Sequence, residues 1–209
     1  NKEASKKIYA AKGRPSDNPL ILHIADMEQF YPLIKTDNAK IIARAEALAD
    51  VFWPGPLTMI LPKADNIPYE TTGGLDTVAI RMPSHLVARA LLQECKMPIA
   101  APSANLSGRP SPTSASHVIE DMNGRIEMII DGGDVGIGVE STIIDLTGEV
   151  TMLLRPGFVT PEMLQQVLGT VETDAAVYRQ GGKDVHPKAP GMKYRHYAPK
   201  ADLKIVEGP

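Results

Sequence analysis

Two short polar segments, about ninety residues apart, carry side chains that could bind a polyanion. The first is Lys-Gly-Arg-Pro-Ser-Asp-Asn-Pro at residues 12–19, and the second begins with Ala-Pro-Ser-Ala-Asn at residues 101–105. Each places cations or small hydrogen-bond donors in a loop stiffened by proline or glycine, so ordering the loop around a ligand costs little entropy. Together they predict a site for the phosphates of a nucleotide.

Lys12 and Arg14 are the cations of the first segment. A lysine ammonium acts as a point charge, whereas the planar guanidinium of an arginine can hold two phosphate oxygens at once. Both residues also lie where a predicted helix ends, so a plainer role is a favourable interaction with the helix dipole. Their spacing alone leaves both roles open.

The composition is that of an ordinary folded chain. Its 209 residues are 43% hydrophobic, which is sufficient for one main domain, or one domain plus a tail. The net charge of −3 argues against a protein that coats nucleic acid electrostatically, although a local basic groove stays compatible with it. No apolar stretch approaches the ~20 residues of a membrane span, and the N-terminus lacks a secretory signal, so we expect a cytoplasmic protein without a membrane partner.

The cysteine and histidine content restricts the chemistry further. A single cysteine, Cys95, excludes an intrachain disulfide, and its place in an apolar helical pattern favours a buried small hydrophobe over a nucleophile. The sequence contains no cysteine and histidine cluster with metal-ligand spacing. We therefore expect no metal bound by the protein itself.

Helices and strands are predicted to alternate along the chain. The predicted helices are residues 3–12, 36–52, 86–93, 114–122 and 161–168, and the predicted strands are 20–24, 57–61, 77–81, 99–101, 128–130, 141–146 and 150–154. A Thr-Gly-Glu turn joins the last two strands as an antiparallel hairpin. The pattern predicts an α/β domain with a mixed, partly antiparallel sheet.

The composition changes after the last predicted helix. Glycine and proline at residues 180–191 are typical of a linker, and residues 192–199 then cluster aromatic and basic side chains. We expect a main domain at residues 1–172, a linker at 173–199, and the start of a second domain at 200–209.

Four motifs in order resemble the threonylcarbamoyl-AMP synthase family of YrdC type. They are Lys-Gly-Arg-Pro-Ser-Asp-Asn-Pro-Leu at residues 12–20, Ser-Ala-Asn-Leu-Ser-Gly at 103–108, Gly-Val-Glu-Ser-Thr at 138–142 and Leu-Arg-Pro-Gly at 154–157. Residues 190–199 are similar to the interdomain linker of the two-domain members. Members normally begin with a strand and turn of Thr-Val-Tyr-Gly-Leu-Gly type before the first helix here, so we expect the catalytic domain to be N-terminally incomplete.

The resemblance implies a fold and an activity. The fold is an α/β, α+β-like arrangement of helices around a twisted mixed sheet, with a concave, positively charged cavity. The activity is a nucleotidyltransferase that makes threonylcarbamoyl-AMP and pyrophosphate from L-threonine, bicarbonate or CO2, and ATP, for threonylcarbamoyladenosine modification of tRNA. Mg²⁺ is assumed to accompany ATP, and transient contact with tRNA or a tRNA-modification complex is implied. Positioning and charge stabilisation suffice for this chemistry, which needs no protein nucleophile.

The resemblance also assigns residues to three overlapping sets. The catalytic signature is Lys12, Arg14, Ser103 and Asn105; the ATP set is Arg14, Asn18, Thr77, Ser103, Ser111, Arg155 and Tyr197; the threonine set is His23, Arg81, Ala101 and Ser141. The residue pattern agrees at Arg81, which ends a predicted strand and could bind a carboxylate at the sheet edge. An arginine inside a buried strand would be costly without a partner.

Several of these residues also fit plainer roles. A histidine in an apolar strand such as His23 is often a core residue with satisfied hydrogen bonds, and Ser103 and Asn105 are common loop and cap residues. Arg155 precedes Pro-Gly and could be a surface charge. Tyr197 could pack the linker, or could contact the nucleotide if the linker closes over the site as a lid.

Two other functional classes stay open. A non-catalytic module that binds double-stranded RNA or tRNA would use the basic residues near the first helix, and its binding would depend strongly on salt. A carbamoyl-adenylate-handling domain of the hydrogenase-maturation type would be accompanied by zinc-binding cysteine pairs and an acylphosphatase module. The sequence contains neither of these features.

Overall fold

One sheet of seven strands runs through residues 1–177, the part of the chain that the computed structural model describes. The strands are β1 (Ile21–His23), β2 (Leu57–Pro62), β3 (Thr77–Arg81), β4 (Ile99–Ala101), β5 (Thr142–Asp145), β6 (Thr151–Arg155) and β7 (Val171–Thr173). The α-helices are α1 (Lys2–Lys12), α2 (Ala39–Phe52), α3 (Tyr69–Thr72), α4 (Leu86–Cys95), α5 (Ala115–Met122) and α6 (Pro161–Leu168). Short 3-10 helices occupy Tyr31–Leu33 and Ala175–Val177.

The sheet alternates antiparallel and parallel neighbours. The strand order is β4-β1-β3-β2-β5-β6-β7. Strand β1 is antiparallel to β4 and parallel to β3, β2 is antiparallel to β3 and parallel to β5, and β6 is antiparallel to β5 and parallel to β7. The predicted α/β class, the mixed sheet and the β5–β6 hairpin are therefore confirmed.

Helix α1 begins and ends at caps that are visible in the sequence. The side-chain oxygen of Asn1 accepts a hydrogen bond from the backbone N–H of Glu3 at 3.0 Å, which satisfies one of the donors that a helix N-terminus leaves free. Gly13 follows the helix in the left-handed region, with φ at 61°, a conformation that costs glycine little because it has no Cβ. The chain therefore leaves the helix at Arg14 and enters the loop of residues 15–19.

Helices α2 and α6 cover one face of the sheet and bury the larger part of the core. Helix α2 buries residues three and four positions apart, the spacing of a helix with one apolar side. The strands contribute Leu22, Leu57, Met59, Leu61, Val78, Ile80, Ile144 and Leu153 to this cluster. Because strand side chains alternate between the two faces, this set fixes which residues lie on the other face.

The second face carries a smaller apolar cluster. Its buried members are Ile21, Ile60, Ala79, Ile143 and Leu154, each one residue out of phase with the larger cluster. Residues two positions from these members share the second face. Four strand positions predicted to bind ligands, His23, Thr77, Arg81 and Ala101, fall in this phase, whereas Arg155 directly follows Leu154 at an irregularity of the β5–β6 register.

Two predictions from the sequence are wrong. Residues 128–130 form no strand, and two of their three apolar side chains are exposed, because none of the seven strands of the described region pairs with them. Cys95 is only half-buried, since α4 turns Leu92 to the core and leaves Leu86 and Leu91 exposed. The apolar stripe predicted for α4 is thus not the face that packs.

One α-helix and one strand were not predicted, nor were the two 3-10 helices. Helix α3 is a single turn, and β7 is a three-residue strand that pairs with β6 beyond α6. Both are too short for a periodic pattern to reveal them. Within the described residues, no helix combines the length and the hydrophobicity that a membrane span requires.

Candidate active site

Lys12 joins the two polar segments that the sequence singled out. Its ammonium donates hydrogen bonds to the main-chain carbonyls of Ser103 and Asn105 and lies 3.4 Å from the Asn105 side-chain oxygen. The backbone N–H of Ser107 in turn donates to the Lys12 carbonyl at 2.9 Å. Lys12 is only 5% exposed, so its ammonium does not serve merely as a solvated charge at the end of α1.

Burial changes the acid–base behaviour of Lys12. Removal from water, and then the charge of the neighbouring Arg14, lower the pKa of the ammonium to about 8, while Asp121 and Glu140 act in the opposite direction. The ammonium is therefore mostly protonated at pH 7 and loses its charge as the pH rises through about 8. A nearby anionic ligand would stabilise the protonated form.

Arg14 and Asn18 form a compact unit in the loop that follows α1. The Arg14 guanidinium donates to the Asn18 side-chain oxygen at 2.6 Å, to the Asn18 carbonyl at 3.2 Å, and to the Pro19 carbonyl at 2.9 Å. The hydroxyl of Tyr9, on α1, donates to the same Asn18 carbonyl at 3.1 Å. These bonds leave the buried side-chain nitrogen of Asn18 without a hydrogen-bond partner in the described region. A buried donor without a partner is costly, so Asn18 is singled out as a residue whose hydrogen bonds the described residues do not complete.

The threonine set predicted from the resemblance lies on the second face of the sheet. His23 and Arg81 are register partners in β1 and β3, and Ala101 is the register partner of Ile21 in β4. Ser141 precedes β5 in phase with Ile143, and its hydroxyl lies 2.9 Å from that of Thr58 on β2. The structure thus brings all four residues to one face, while their binding role stays a prediction.

His23 differs from a core histidine whose hydrogen bonds are satisfied. Its Nδ1 atom is buried and has no hydrogen-bond partner among the described residues. Burial, and then the charge of Arg81, lower the pKa of the imidazole to about 4, while backbone contacts with Ile99 and Ile21 act in the opposite direction. His23 is therefore neutral at pH 7.

Arg155 is held between two segments at the ends of β5 and β6. Its guanidinium donates to the Ser141 carbonyl at 2.8 and 3.0 Å and to the Ser141 hydroxyl at 2.9 Å. It also lies 3.7 Å from the carboxylate of Glu140, which accepts a hydrogen bond from the Ser111 hydroxyl. With a side chain 12% exposed, Arg155 is not a surface turn charge.

Electrostatic interactions connect the residues around Lys12 with those around Arg81. Burial lowers the pKa of Arg81, and the charge of Arg155 lowers it further. Glu140 raises the pKa of both Arg81 and Lys12, so it lies within electrostatic range of each. The four cations Lys12, Arg14, Arg81 and Arg155 therefore share one region of the molecule.

A glycine holds the segment that carries Glu140 and Ser141. A Cβ on Gly157 would lie 2.6 Å from the Thr142 backbone nitrogen and closer still to the Glu140 carbonyl. The turn after β6 can therefore approach the start of β5 only at a residue without a side chain.

The loop after β4 is held by its own side chains. Asn105 is buried, and its side-chain nitrogen donates to the carbonyls of Leu106 and Arg109 at 2.9 and 2.8 Å. Asp121 on α5 pairs with Arg109 and accepts from the Leu106 N–H at 2.9 Å. Asn105 therefore orders the loop that presents Ser103, which agrees with the plainer role considered for it and leaves its catalytic role a prediction.

Two members of the predicted ATP set lie apart from these contacts. Thr77 begins β3, where it is the register partner of Pro62 in β2. Tyr197, like most of the predicted linker and all of the second domain, lies outside the described residues.

The sequence did not assign roles to several residues that organise this site. Glu140 lies within a quoted motif, immediately before Ser141, but only the structure reveals its two partners. Tyr9 lies three residues before Lys12, close to one helical turn, which is the one local signal that it shares the side of α1 that meets the site. Thr58 is a buried hydroxyl within the otherwise apolar β2, a pattern that could have indicated a polar partner.

Comparison with known proteins gives consistent results along the whole chain. Residues 1–157 match the Sua5/YciO/YrdC family, described as telomere recombination, and residues 159–209 match the threonylcarbamoyl-AMP synthase C-terminal domain. A threonylcarbamoyl-AMP synthase of Pyrococcus abyssi is 57% identical over 210 residues, which cover 100% of this chain and 60% of the relative. Another, from Bacillus subtilis, is 54% identical and is covered to 58% of its length.

A solved structure shows the same similarity in three dimensions. The crystal structure of Pyrococcus abyssi Sua5 complexed with L-threonine superposes with a TM-score of 0.92 at 56% identity. The match covers 99% of this chain and 59% of the other. The chain thus spans about three-fifths of the length of these relatives.

Proposed function

Because the chain belongs to the Sua5/YciO/YrdC family of threonylcarbamoyl-AMP synthases, we propose that it carries the active site of an L-threonylcarbamoyladenylate synthase. The amine of L-threonine attacks CO2 derived from bicarbonate and loses a proton, giving a carbamate. A carbamate oxygen then attacks the α-phosphorus of ATP, and pyrophosphate leaves. The adenylate would supply the threonylcarbamoyl group for modification of an adenosine in tRNA.

The observation that carries this proposal is the position of two of the three buried side-chain nitrogens that lack a hydrogen-bond partner in the described region; the third, Arg89 Nε, lies on α4. Asn18 Nδ2 lies in the loop assigned to ATP, and His23 Nδ1 lies on the sheet face assigned to threonine. Each would be costly in a protein that bound nothing there. Two separate positions prepared for ligands support a reaction that joins two substrates.

The cations support the chemistry of the α-phosphorus. Lys12 and Arg14 stand at one end of the site and Arg81 and Arg155 at the other, where they would offset the charges of triphosphate, carbamate and carboxylate. Cations near the threonine ammonium would also lower its pKa and so favour the nucleophilic free amine.

His23 is suited to orient threonine and not to take its proton. A base whose conjugate acid has a pKa of about 4 is weak at pH 7, so general-base catalysis by this ring would be inefficient. Its neutral ring can instead form one hydrogen bond with the bound amino acid through Nδ1. The carboxylate of that amino acid would then face Arg81, the register partner of His23.

Among the described residues, no group of three or more histidine, cysteine, aspartate or glutamate side chains is arranged to hold a metal ion. Mg²⁺ commonly binds through phosphates and water with few protein ligands. We propose that Mg²⁺ enters as part of the substrate, bound to ATP. A cytoplasmic location and a transient contact with tRNA are further parts of the proposal.

Pyrophosphate release from ATP provides the test. The full-length protein should release pyrophosphate only when L-threonine and bicarbonate are both present, and the Arg81→Ala variant should require a higher threonine concentration while its KM for ATP stays close to that of the wild type. Arg125→Ala, which removes an exposed arginine, serves as the control. Pyrophosphate release that does not depend on threonine would contradict the proposal.

A further inference from the structure

Glu140 is a carboxylate placed among groups that would bind an anion. Its side chain accepts a hydrogen bond from the Ser111 hydroxyl and lies 3.7 Å from the Arg155 guanidinium. The two partners are 44 residues apart in sequence and belong to the loop after β4 and to the end of β6. Glu140 therefore fixes the separation of two segments that share no strand pairing.

The backbone around Glu140 is held firmly enough to set the direction of its side chain. The next residue, Ser141, is buried, accepts hydrogen bonds from Arg155 through its carbonyl, and contacts Thr58 through its hydroxyl. Gly157 packs against the Glu140 carbonyl on the other side. A side chain that extends from so fixed a backbone can act as a rigid support.

An isolated carboxylate at this point would weaken the binding of phosphates by repulsion. Here its charge is offset by Arg155, and its side chain is 29% exposed, so solvent reduces what remains. The main effect of the Glu140 carboxylate is therefore to order its partners. The Ser111 hydroxyl and the long Arg155 side chain each lose rotational freedom when they bind it. Two groups ordered before the ligand arrives bind it at a lower entropic cost.

We propose that Glu140 is a positioning residue, whose carboxylate holds Ser111 and Arg155 in the orientation in which they bind the phosphates of ATP. This inference rests on the proposed function, since it deepens the description of the same nucleotide site. Glu140 acts through its two partners and does not contact the reacting atoms.

Calorimetric binding of ATP and of L-threonine to the full-length protein tests this role. Glu140→Ala should weaken ATP binding about tenfold, because both support contacts are lost, and should leave L-threonine binding within twofold of the wild type. Glu140→Gln keeps an acceptor oxygen for Ser111 and should recover at least half of the loss, expressed as free energy of binding. Glu149→Ala removes an exposed glutamate from the β5–β6 turn and should bind ATP as the wild type does.

Any other outcome would contradict the inference, and the pattern of the result would identify the role that Glu140 has instead. Tighter ATP binding by both Glu140 variants would indicate that the carboxylate competes with phosphate. Equal losses in both variants that higher Mg²⁺ restores would indicate a metal ligand. Unchanged ATP binding by Glu140→Ala would refute the inference while the proposed function stands, and a wild-type protein that binds no ATP would refute both. Retained L-threonine binding and an unchanged melting temperature establish that the variants are folded.

Discussion

The ammonium of Lys12 donates a hydrogen bond to the main-chain carbonyl of Asn105, 93 residues further along the chain. This contact brings the end of α1 against the loop after β4 and so assembles one wall of the site from two distant segments. The buried ammonium gives this wall a positive charge, and its hydrogen bonds to carbonyl oxygens hold that charge in a fixed position. The same arrangement suits a triphosphate, which needs fixed charge more than it needs a reactive side chain.

Replacing Lys12 with alanine should reduce pyrophosphate release about 100-fold, a loss typical for one preorganised electrostatic contact in an active site. Lys7→Ala, which removes an exposed lysine from the same helix, should be close to wild type. The measurement is the initial rate at saturating L-threonine and bicarbonate over a range of ATP concentrations. A Lys12→Ala protein that keeps a third of the wild-type rate would show that the cation only caps α1.

ATP binding should weaken as the pH rises from 7 to 9. Burial lowers the pKa of Lys12 to about 8, so the ammonium loses its proton and its charge in this interval. The dissociation constant for ATP should increase by up to about tenfold for each pH unit above the pKa. Lys12→Arg keeps its charge throughout, so its affinity, whatever its value at pH 7, should stay level over the same range. An identical pH dependence in both proteins would assign the effect to another group.

Acid should destabilise the wild-type protein through His23. The pKa of the folded imidazole is about 4 against an ordinary value of 6.5, so between these values the unfolded chain binds a proton that the folded chain does not. The free energy of unfolding therefore falls as the pH falls through this interval. Between pH 7 and pH 5, His23→Gln should lose about 1 to 2 kcal/mol less stability than the wild type in urea unfolding. His117→Gln, at an exposed histidine, is the control and should follow the wild type.

Gly157→Ala should destabilise the protein and disturb the site together. The new Cβ would meet the Thr142 backbone nitrogen at 2.6 Å, and backbone cannot move aside as a flexible side chain can. We expect a loss of about 2 kcal/mol in the free energy of unfolding, the usual result of overpacking. In contrast, Gly136→Ala places its Cβ in open space and should change stability by no more than about 0.5 kcal/mol. Equal stability of the two variants would show that the segment near Glu140 relaxes freely.

Local signals in the sequence were sufficient to predict most of the helices and strands. The bounds predicted for β3, β4 and α6 agree with the structure, and the end of α1 at Lys12 follows from Gly13. The strand predicted at residues 128–130 was wrong because β-propensity does not supply a pairing partner. The buried stripe predicted for α4 failed for a related reason, since spacing shows that a helix has an apolar face but not what covers it.

The arrangement of the site could not be predicted from local sequence patterns. The motifs supplied the candidate residues, and the resemblance divided them between two substrates. Their arrangement follows from sheet register, which places His23 beside Arg81, and from packing, which joins Lys12 to Asn105. Glu140 was visible in its motif, but its link between Ser111 and Arg155 spans segments whose approach no local rule predicts.

The central claim, that one site joins threonine, CO2 and the adenylate of ATP, is tested most directly by following the carbon. The full-length protein would be incubated with ¹³C-labelled bicarbonate, L-threonine and Mg-ATP, and the adenylates would be analysed by mass spectrometry under conditions that preserve labile products. We predict an adenylate that contains threonine and one ¹³C atom, formed in step with pyrophosphate and lost in Lys12→Ala. Pyrophosphate formed together with an unlabelled threonyl-adenylate, or with AMP alone, would contradict the account.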